Sequence, residues 1–103
     1  MSDQQAVIAT FVSGGDWDVY DVEDQLIEAI EKAGVGEFDG NLMGPGEIVL
    51  YAYGPDADAL FEVMEPILRA VPAQEAYAIK RYGEAGDADA SEVRLELARS
   101  GPS

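Results

Sequence analysis

Cysteine and histidine are both absent from the 103 residues. Without cysteine the chain has no disulfides and no thiolate chemistry, and without histidine it lacks the usual base that activates a serine nucleophile. Zinc sites draw mainly on those two residue types. The sequence therefore predicts a protein that is not an enzyme and that holds no metal and no cofactor.

Long apolar runs are also missing, since no stretch approaches the roughly 20 residues that a membrane-spanning helix needs. The first five residues, Met-Ser-Asp-Gln-Gln, contain neither the basic region nor the apolar run of a signal peptide. We therefore expect a cytoplasmic protein that does not contact membranes.

Positive charge is scarce: Lys and Arg number 6 against 21 Asp and Glu, for a net charge of −15. Lys32 is the one base in the first 65 residues. An acidic field repels phosphate backbones and speeds encounter with basic proteins. We predict no nucleic-acid partner and hypothesise a basic protein partner; the alternative explanation is that the charge serves solubility alone.

The remaining composition is that of an ordinary globular domain, with 48% hydrophobic and 9% aromatic residues. A chain of this length forms one domain with a single core. We expect residues 1–103 to form that domain, with an ordered core at about 5–98 and short flexible tails.

Hydrophobic periodicity predicts five strands and two helices. Asp21 and Asp56 are the expected helix N-caps, Gly34 the first helix stop, and Gly40 a strand bulge. In the last strand, Val93, Leu95 and Leu97 are expected to point inward. The predicted strands are 7–12, 37–43, 47–53, 75–82 and 92–97, and the predicted helices are about 22–33 and 57–71.

The order of these elements, β-α-β-β-α-β with one further strand, predicts an α+β fold of the ferredoxin-like sandwich type. Its sheet is antiparallel, with two helices on one face. Strands 7–12 and 47–53 are the most apolar, so we place them side by side at the centre. The extra C-terminal strand is expected to pair with the fourth, giving the order fifth, fourth, first, third, second.

Two ligand motifs are present only in part. Asp16-x-Asp18 resembles the start of a calcium loop, but the sixth position is Asp21 and the twelfth is Ile27, where glycine and glutamate are required. Residues 13–15, Ser-Gly-Gly, precede a helix as a phosphate loop does, but no lysine follows. We expect neither a calcium nor a phosphate site.

The acidic aromatic segment after the first strand is the first candidate binding site. Carboxylates there would steer a cationic partner, and the two aromatic rings would anchor it. The alternative is a solvated turn that leads into a helix. The predicted partner-binding residues are Asp16, Trp17, Asp18, Tyr20 and Asp21.

The sheet face turned away from the helices is the second candidate. If Ile48, Leu50 and Ala52 point toward the helices, the alternate residues Val49, Tyr51 and Tyr53 lie on the uncovered face. One of two sets, Tyr77 with Arg81 or Lys80 with Tyr82, would join them. An uncovered aromatic patch indicates a homodimer or ligand face, unless the chain's own side chains and tail cover it.

Residues 36–58 resemble a block found in small bacterial proteins of unknown function, and the acidic α+β build is similar in outline to immunity proteins and other small inhibitors. The likeness implies no assigned activity. We predict a non-enzymatic acidic binding protein that docks on a basic protein partner as inhibitor, immunity factor or regulator. The alternative is a homodimeric domain that senses a small ligand held between a helix N-terminus and the Gly44–Gly46 hairpin.

Overall fold

The computed structural model describes residues 5–12, 17–73, 75–83 and 91–98. The predicted flexible tails and Asp16 lie outside these ranges. All seven predicted elements are present, with bounds that differ by one to three residues. They are β1 (Gln5–Val12), α1 (Val19–Ala33), β2 (Glu37–Gly44), β3 (Glu47–Gly54), α2 (Ala57–Arg69), β4 (Glu75–Arg81) and β5 (Glu92–Ala98).

The five strands form one antiparallel sheet in the order β2-β3-β1-β4-β5. This confirms the predicted order, with β1 at the centre and β3 beside it. The central position suits β1 because its residues are apolar on both sides of the strand. The architecture is α+β, ferredoxin-like with an extra strand.

Both helices cover the same face of the sheet and share one core with it. Val7, Ala9 and Phe11 of β1 point toward the helices and are almost fully buried. On β3, Leu50 and Ala52 point the same way and are also buried, as their alternation predicts. The helix residues that close this core include Leu26, Ile30, Leu60, Met64 and Leu68.

The start of α1 corrects the prediction by three residues. Its N-cap is Asp18, whose Oδ1 accepts a hydrogen bond of 2.9 Å from the Tyr20 amide. Asp21 is not the cap; it lies in the first turn, where its carboxylate accepts from the Gln25 side chain at 3.0 Å. The helix begins early because Val19, only 8% exposed, adds one more apolar residue to the buried stripe.

The second helix begins where predicted. Asp56 caps it by accepting hydrogen bonds from the amides of Asp58 and Ala59. The Gln5 side chain of β1 accepts a further bond of 2.7 Å from the Ala57 amide. Two of the four otherwise unpaired amide donors of that terminus are thus bound by the N-cap residue and one by the sheet.

Two predictions at the edges of the sheet are confirmed. The pairing of β2 with β3 shifts between Phe38 and Gly40, which is the expected bulge. Val93 of β5 lies opposite Lys80 and points to the helix side of the sheet, as predicted, but its side chain remains 42% exposed. Helix α2 contacts the other end of β5, where Arg69 donates to the carbonyl of Leu97 and the Leu97 side chain is buried.

Where β3 ends, it crosses the connection between α1 and β2 at very short range. A Cβ on Gly54 would lie against the carbonyl oxygen of Val35, and a Cβ on Gly36 against that of Tyr53, both well inside contact distance. Because the obstacle is backbone on each side, only glycine fits at this crossing.

Candidate functional site

The acidic aromatic segment is the N-terminal turn of α1 rather than a free loop. Trp17 and Asp18 precede the helix, whereas Tyr20 and Asp21 belong to its first turn. Asp18, Tyr20 and Asp21 are all exposed. Asp16 was predicted with this group, but it lies outside the described residues.

Of the two predicted aromatic anchors, only Tyr20 is freely exposed, at 63%. Trp17 is partly buried and packs against the core; its ring meets Phe11 edge to face, with the ring centroids 5.2 Å apart. Such pairs add stability beyond the area they bury. Trp17 therefore holds the start of α1 against β1, whatever else it contacts.

A groove runs between α1 and the end of α2, and we call it the helix groove. One part, about 220 Å³, brings Trp17, Asp18 and Asp21 together with Ile67 of α2. The adjoining part, about 320 Å³, shares Ile67 and Gln25 and continues to Glu28, Ala29 and Lys32. Three predicted binding residues thus line one groove, and Tyr20 is not among its lining residues.

The α2 side of this groove was not predicted as part of a site. Ile67 was assigned to the buried stripe of the second helix, and it is in fact partly exposed in the groove. Its apolar character was visible in the sequence. Its exposure follows only from the way the two helices pack.

A second concavity, the hairpin cleft, lies where the alternative hypothesis expects a ligand. Its volume is about 170 Å³, and it lies between Trp17 and the β2–β3 hairpin. Its walls are mainly apolar, with one carboxylate, and Trp17 lines both this cleft and the helix groove. The lining residues are Phe11, Val12, Trp17, Gly44, Gly46, Glu47 and Ile48.

Val49, Tyr51 and Tyr53 point away from the helices, as predicted, and each is partly exposed. The strand register settles which of the two sets on β4 joins them. Tyr77 lies opposite Thr10 and Arg81 opposite Ala6, on the same side of the sheet as the β3 tyrosines. Lys80 instead points toward the helices, where it contacts α2.

Two arginines accompany the aromatic rings on this uncovered side. The Arg94 guanidinium lies over the Tyr77 ring, 3.9 Å from its centroid, in a cation–π contact. Within the described part of the chain, the buried Nε of Arg81 has no hydrogen-bond partner. A buried donor without a partner costs folding free energy.

On the helix side, Asp58, Lys80 and Tyr82 form a compact polar cluster. The Lys80 ammonium and the Tyr82 hydroxyl both donate to Oδ1 of Asp58, at 2.7 and 2.5 Å. The hydrogen bond from Lys80, followed by that from Tyr82, holds the pKa of Asp58 below its usual range, and the pKa of Lys80 is raised by its bond to Asp58. A charged, satisfied lysine is a poor nucleophile, so the cluster is structural.

Two further observations bear on membranes and metals. In the described ranges no helix combines the length and the apolar character that spanning a bilayer requires. Nor do the acidic side chains placed by the structure gather into a group of three able to hold a metal ion.

Comparison with known proteins gives no family for this chain. No protein-family model matches it, and no curated protein matches it. A solved structure that it resembles is a domain of unknown function, DUF77, from Bacillus cereus, with 20% sequence identity over 99% of this chain and 84% of that chain and a TM-score of 0.36. So distant a likeness carries no functional argument, and the comparisons give no support to the likeness to immunity proteins.

Proposed function

We propose that this is a non-enzymatic cytoplasmic binding protein that docks on a basic segment of a protein partner, in an inhibitory, immunity or regulatory role. The observation that carries the proposal is the helix groove. Its lining combines the carboxylates of Asp18, Asp21 and Glu28 with the apolar side chains of Val22 and Ile67.

This combination suits a cationic amphipathic segment better than it suits a simple salt contact. Surface ion pairs alone contribute little affinity, because exposed charges are well screened by solvent. An apolar side chain of the partner placed against Ile67 would supply hydrophobic burial, while carboxylates nearby steer its lysines or arginines during encounter. The net charge of −15 adds long-range attraction for the same partner.

A defined probe tests the proposal: a soluble amphipathic helical peptide with lysines on one face and leucines on the other. We expect its binding, followed by amide chemical shifts, to perturb the residues of the helix groove first. Changing Asp18 and Asp21 together to asparagine should slow association about tenfold at low salt, and the loss should shrink as salt rises. Asparagine also caps helices, so the fold should be kept.

The matched control removes the same charge elsewhere. Glu31 and Glu62 are exposed residues on the same two helices and line neither part of the groove. Changing both to glutamine should slow association much less than changing Asp18 and Asp21 to asparagine does. Equal losses from the two double variants would mean that only the overall acidic field acts, and the groove proposal would be wrong.

The hairpin cleft supports a second candidate, a small-ligand-sensing homodimeric regulatory domain. At about 170 Å³ the cleft is smaller than the roughly 300–1,000 Å³ of drug-sized sites, so it suits a ligand of few heavy atoms. Phe11, Trp17 and Ile48 provide apolar walls, and Glu47 provides one anionic contact. A small amine with an apolar body matches that lining.

Thermal unfolding in the presence of small alkyl and aryl amines tests this candidate. A ligand that binds the cleft should raise the unfolding temperature saturably and change the emission of Trp17, the only tryptophan. Glu47→Gln should remove the effect. The Glu62→Gln variant, whose altered side chain does not line the cleft, should keep the effect. Stabilisation that survives Glu47→Gln would place the ligand elsewhere.

A further inference from the structure

The helix groove follows α1 along its whole length. Its lining residues on this helix recur three or four positions apart, which is the spacing of one helix face. From Asp18 to Lys32 this face extends for about 21 Å, or about four helical turns, at 1.5 Å per residue. The groove can therefore hold a second helix of similar length. Its lining residues on the α1 side are Asp18, Asp21, Val22, Gln25, Glu28, Ala29 and Lys32.

The two ends of the groove differ in charge. Where α1 begins, Asp18 and Asp21 are both exposed carboxylates. At the other end Glu28 is followed one turn later by Lys32, so the lining there carries no net charge. Within the described ranges Lys32 takes part in no ion pair, which leaves its ammonium group available to a bound partner. The other carboxylates of α1, which do not line the groove, are Glu23, Asp24 and Glu31.

The apolar lining is concentrated at the same end as the two aspartates. Of the two parts of the groove, the part beside Asp18 contains Trp17, Val22 and Pro72. The part beside Lys32 shares Ile67 with it and adds Ala29, a small side chain. A large apolar side chain of a partner is therefore buried best beside the carboxylates. The bases and the apolar anchor of that partner then lie on neighbouring turns of its helix.

We propose that the partner segment is a helix of about four turns with its bases confined to one end, and that Lys32 selects for this arrangement. The inference rests on the proposed function of the helix groove and names the partner class more closely. Bases at the end beside Asp18 and Asp21 meet two carboxylates. Bases at the other end meet the Lys32 ammonium, and the like charges oppose binding.

The overall acidic field of the protein does not provide this selection. A net charge of −15 attracts every basic segment at long range. Two segments with the same composition and the same charge experience nearly the same attraction, even when their bases are placed differently. A difference in their affinity therefore reports the local charges of the groove.

Two helical peptides of about 15 residues test the inference against the full chain. Both contain the same lysines and leucines and the same hydrocarbon staple, which keeps their helicity alike. The one-ended peptide has all its lysines in two adjoining turns at one end, whereas the two-ended peptide has half of them at each end. By calorimetric titration we expect the wild type to bind the one-ended peptide about fivefold more tightly.

The variant Lys32→Glu should remove this preference. It gives each end of the groove two carboxylates, so both peptides should then bind with dissociation constants within about twofold of each other. Arg94→Glu is the matched control, since it makes the same change in net charge on β5, on the side of the sheet away from the helices. This control should keep the fivefold preference.

The position of the bound peptide gives a second measurement. A nitroxide label at the basic end of the one-ended peptide should broaden the amide signals of residues 18–22 more than those of residues 29–32. In Lys32→Glu the two sets should be broadened more evenly, because the ends of the groove then carry equal charge. Broadening centred on residues 29–32 of the wild type would contradict the inference.

The outcomes distinguish this inference from the proposed function. Equal binding of the two peptides to the wild type would overturn the role of Lys32 and leave the groove as a binding site. A preference that persists in Lys32→Glu, or that Arg94→Glu also removes, would overturn it as well. If neither peptide shifted the amide signals of the groove residues, the proposed function and this inference would both be wrong.

Discussion

Nζ of Lys80 lies 2.7 Å from Oδ1 of Asp58 and joins β4 to the first turn of α2. The lysine side chain is only 17% exposed, whereas the aspartate is 62% exposed. The hydrogen bond between them lowers the pKa of Asp58 from 3.8 and raises that of Lys80 from 10.5. Each shift favours the charged form, so both act to stabilise the folded state near neutral pH.

The stabilisation from this pair should have two pH limits. A lowered Asp58 pKa gives stability that is fully present above 3.8 and is lost as pH falls through the folded value. A raised Lys80 pKa gives stability that is fully present below 10.5 and is lost as pH rises through the folded value. The free energy of unfolding of the wild type should thus exceed that of Asp58→Asn by a constant amount between about pH 5 and 9, and the difference should shrink toward both extremes.

Urea unfolding at a series of pH values measures this difference. Glu62→Gln, on the same helix, removes one carboxylate for which the structure records no ion pair among the described residues. Its difference from the wild type should lack the alkaline limit. A pH-independent difference for Asp58→Asn would contradict the assignment.

The N-cap of α1 should be visible in mutant stability. Asp18→Ala removes the hydrogen bond to the Tyr20 amide and should cost about 1 kcal/mol of unfolding free energy. Asp21→Ala loses only a surface bond to Gln25 and a first-turn charge, and should cost about 0.3–0.5 kcal/mol. Denaturant unfolding of both variants gives the order; a larger loss from Asp21→Ala would restore the sequence-based assignment.

The wrong N-cap prediction for α1 shows how precisely a helix start can be predicted from the sequence. Asp18 and Asp21 are both good caps by residue type, so capping preference alone does not choose between them. The deciding signal was Val19, which lies three residues before Val22 and continues the same apolar stripe. Counting that stripe backward would have found the helix start. Sheet order was predictable because strand hydrophobicity ranks central above edge positions.

Substitution to alanine should be severe at Gly54 of the backbone crossing and harmless at Gly44, which lies outside the crossing. Gly54→Ala places a methyl group against the Val35 carbonyl, and backbone on both sides resists movement, so we expect a loss of roughly 2–3 kcal/mol. Gly44→Ala meets nothing within 4 Å and should change the unfolding free energy by less than about 0.5 kcal/mol. Thermal and urea unfolding of the two alanine variants make the comparison.

Trp17 should contribute mainly to the stability of the fold. Trp17→Ala removes the edge-to-face contact with Phe11 and part of the core cover, and should cost about 2 kcal/mol. Tyr20→Ala alters a side chain that is 63% exposed and should cost less than about 0.5 kcal/mol. Similar losses of unfolding free energy in the two variants would mean that Trp17 is no better packed than Tyr20. In binding experiments Trp17→Phe is therefore the better variant.

The candidate sites were less predictable than the fold, for a physical reason. Helical and strand periodicity report which side of an element is apolar, but not how much of it a neighbouring element covers. Ile67 and Val93 were both assigned inward from periodicity, and both are open to solvent to some degree. The helix groove is formed jointly by residues of α1 and α2, so the sequence of neither helix predicts it alone.

The position of β1 in the chain sets an order of events during synthesis. Its partners β3 and β4 come from the middle and the last third of the sequence, so the strand that organises the sheet is made long before either neighbour. Until β3 and β4 have been synthesised, the apolar strand β1 has no partner strand, and only α1 can form near it. Sheets built from such distant pairings close late and fold slowly. Completion of β4, rather than of β1, should therefore mark the point at which a nascent chain becomes protected from proteases and from aggregation.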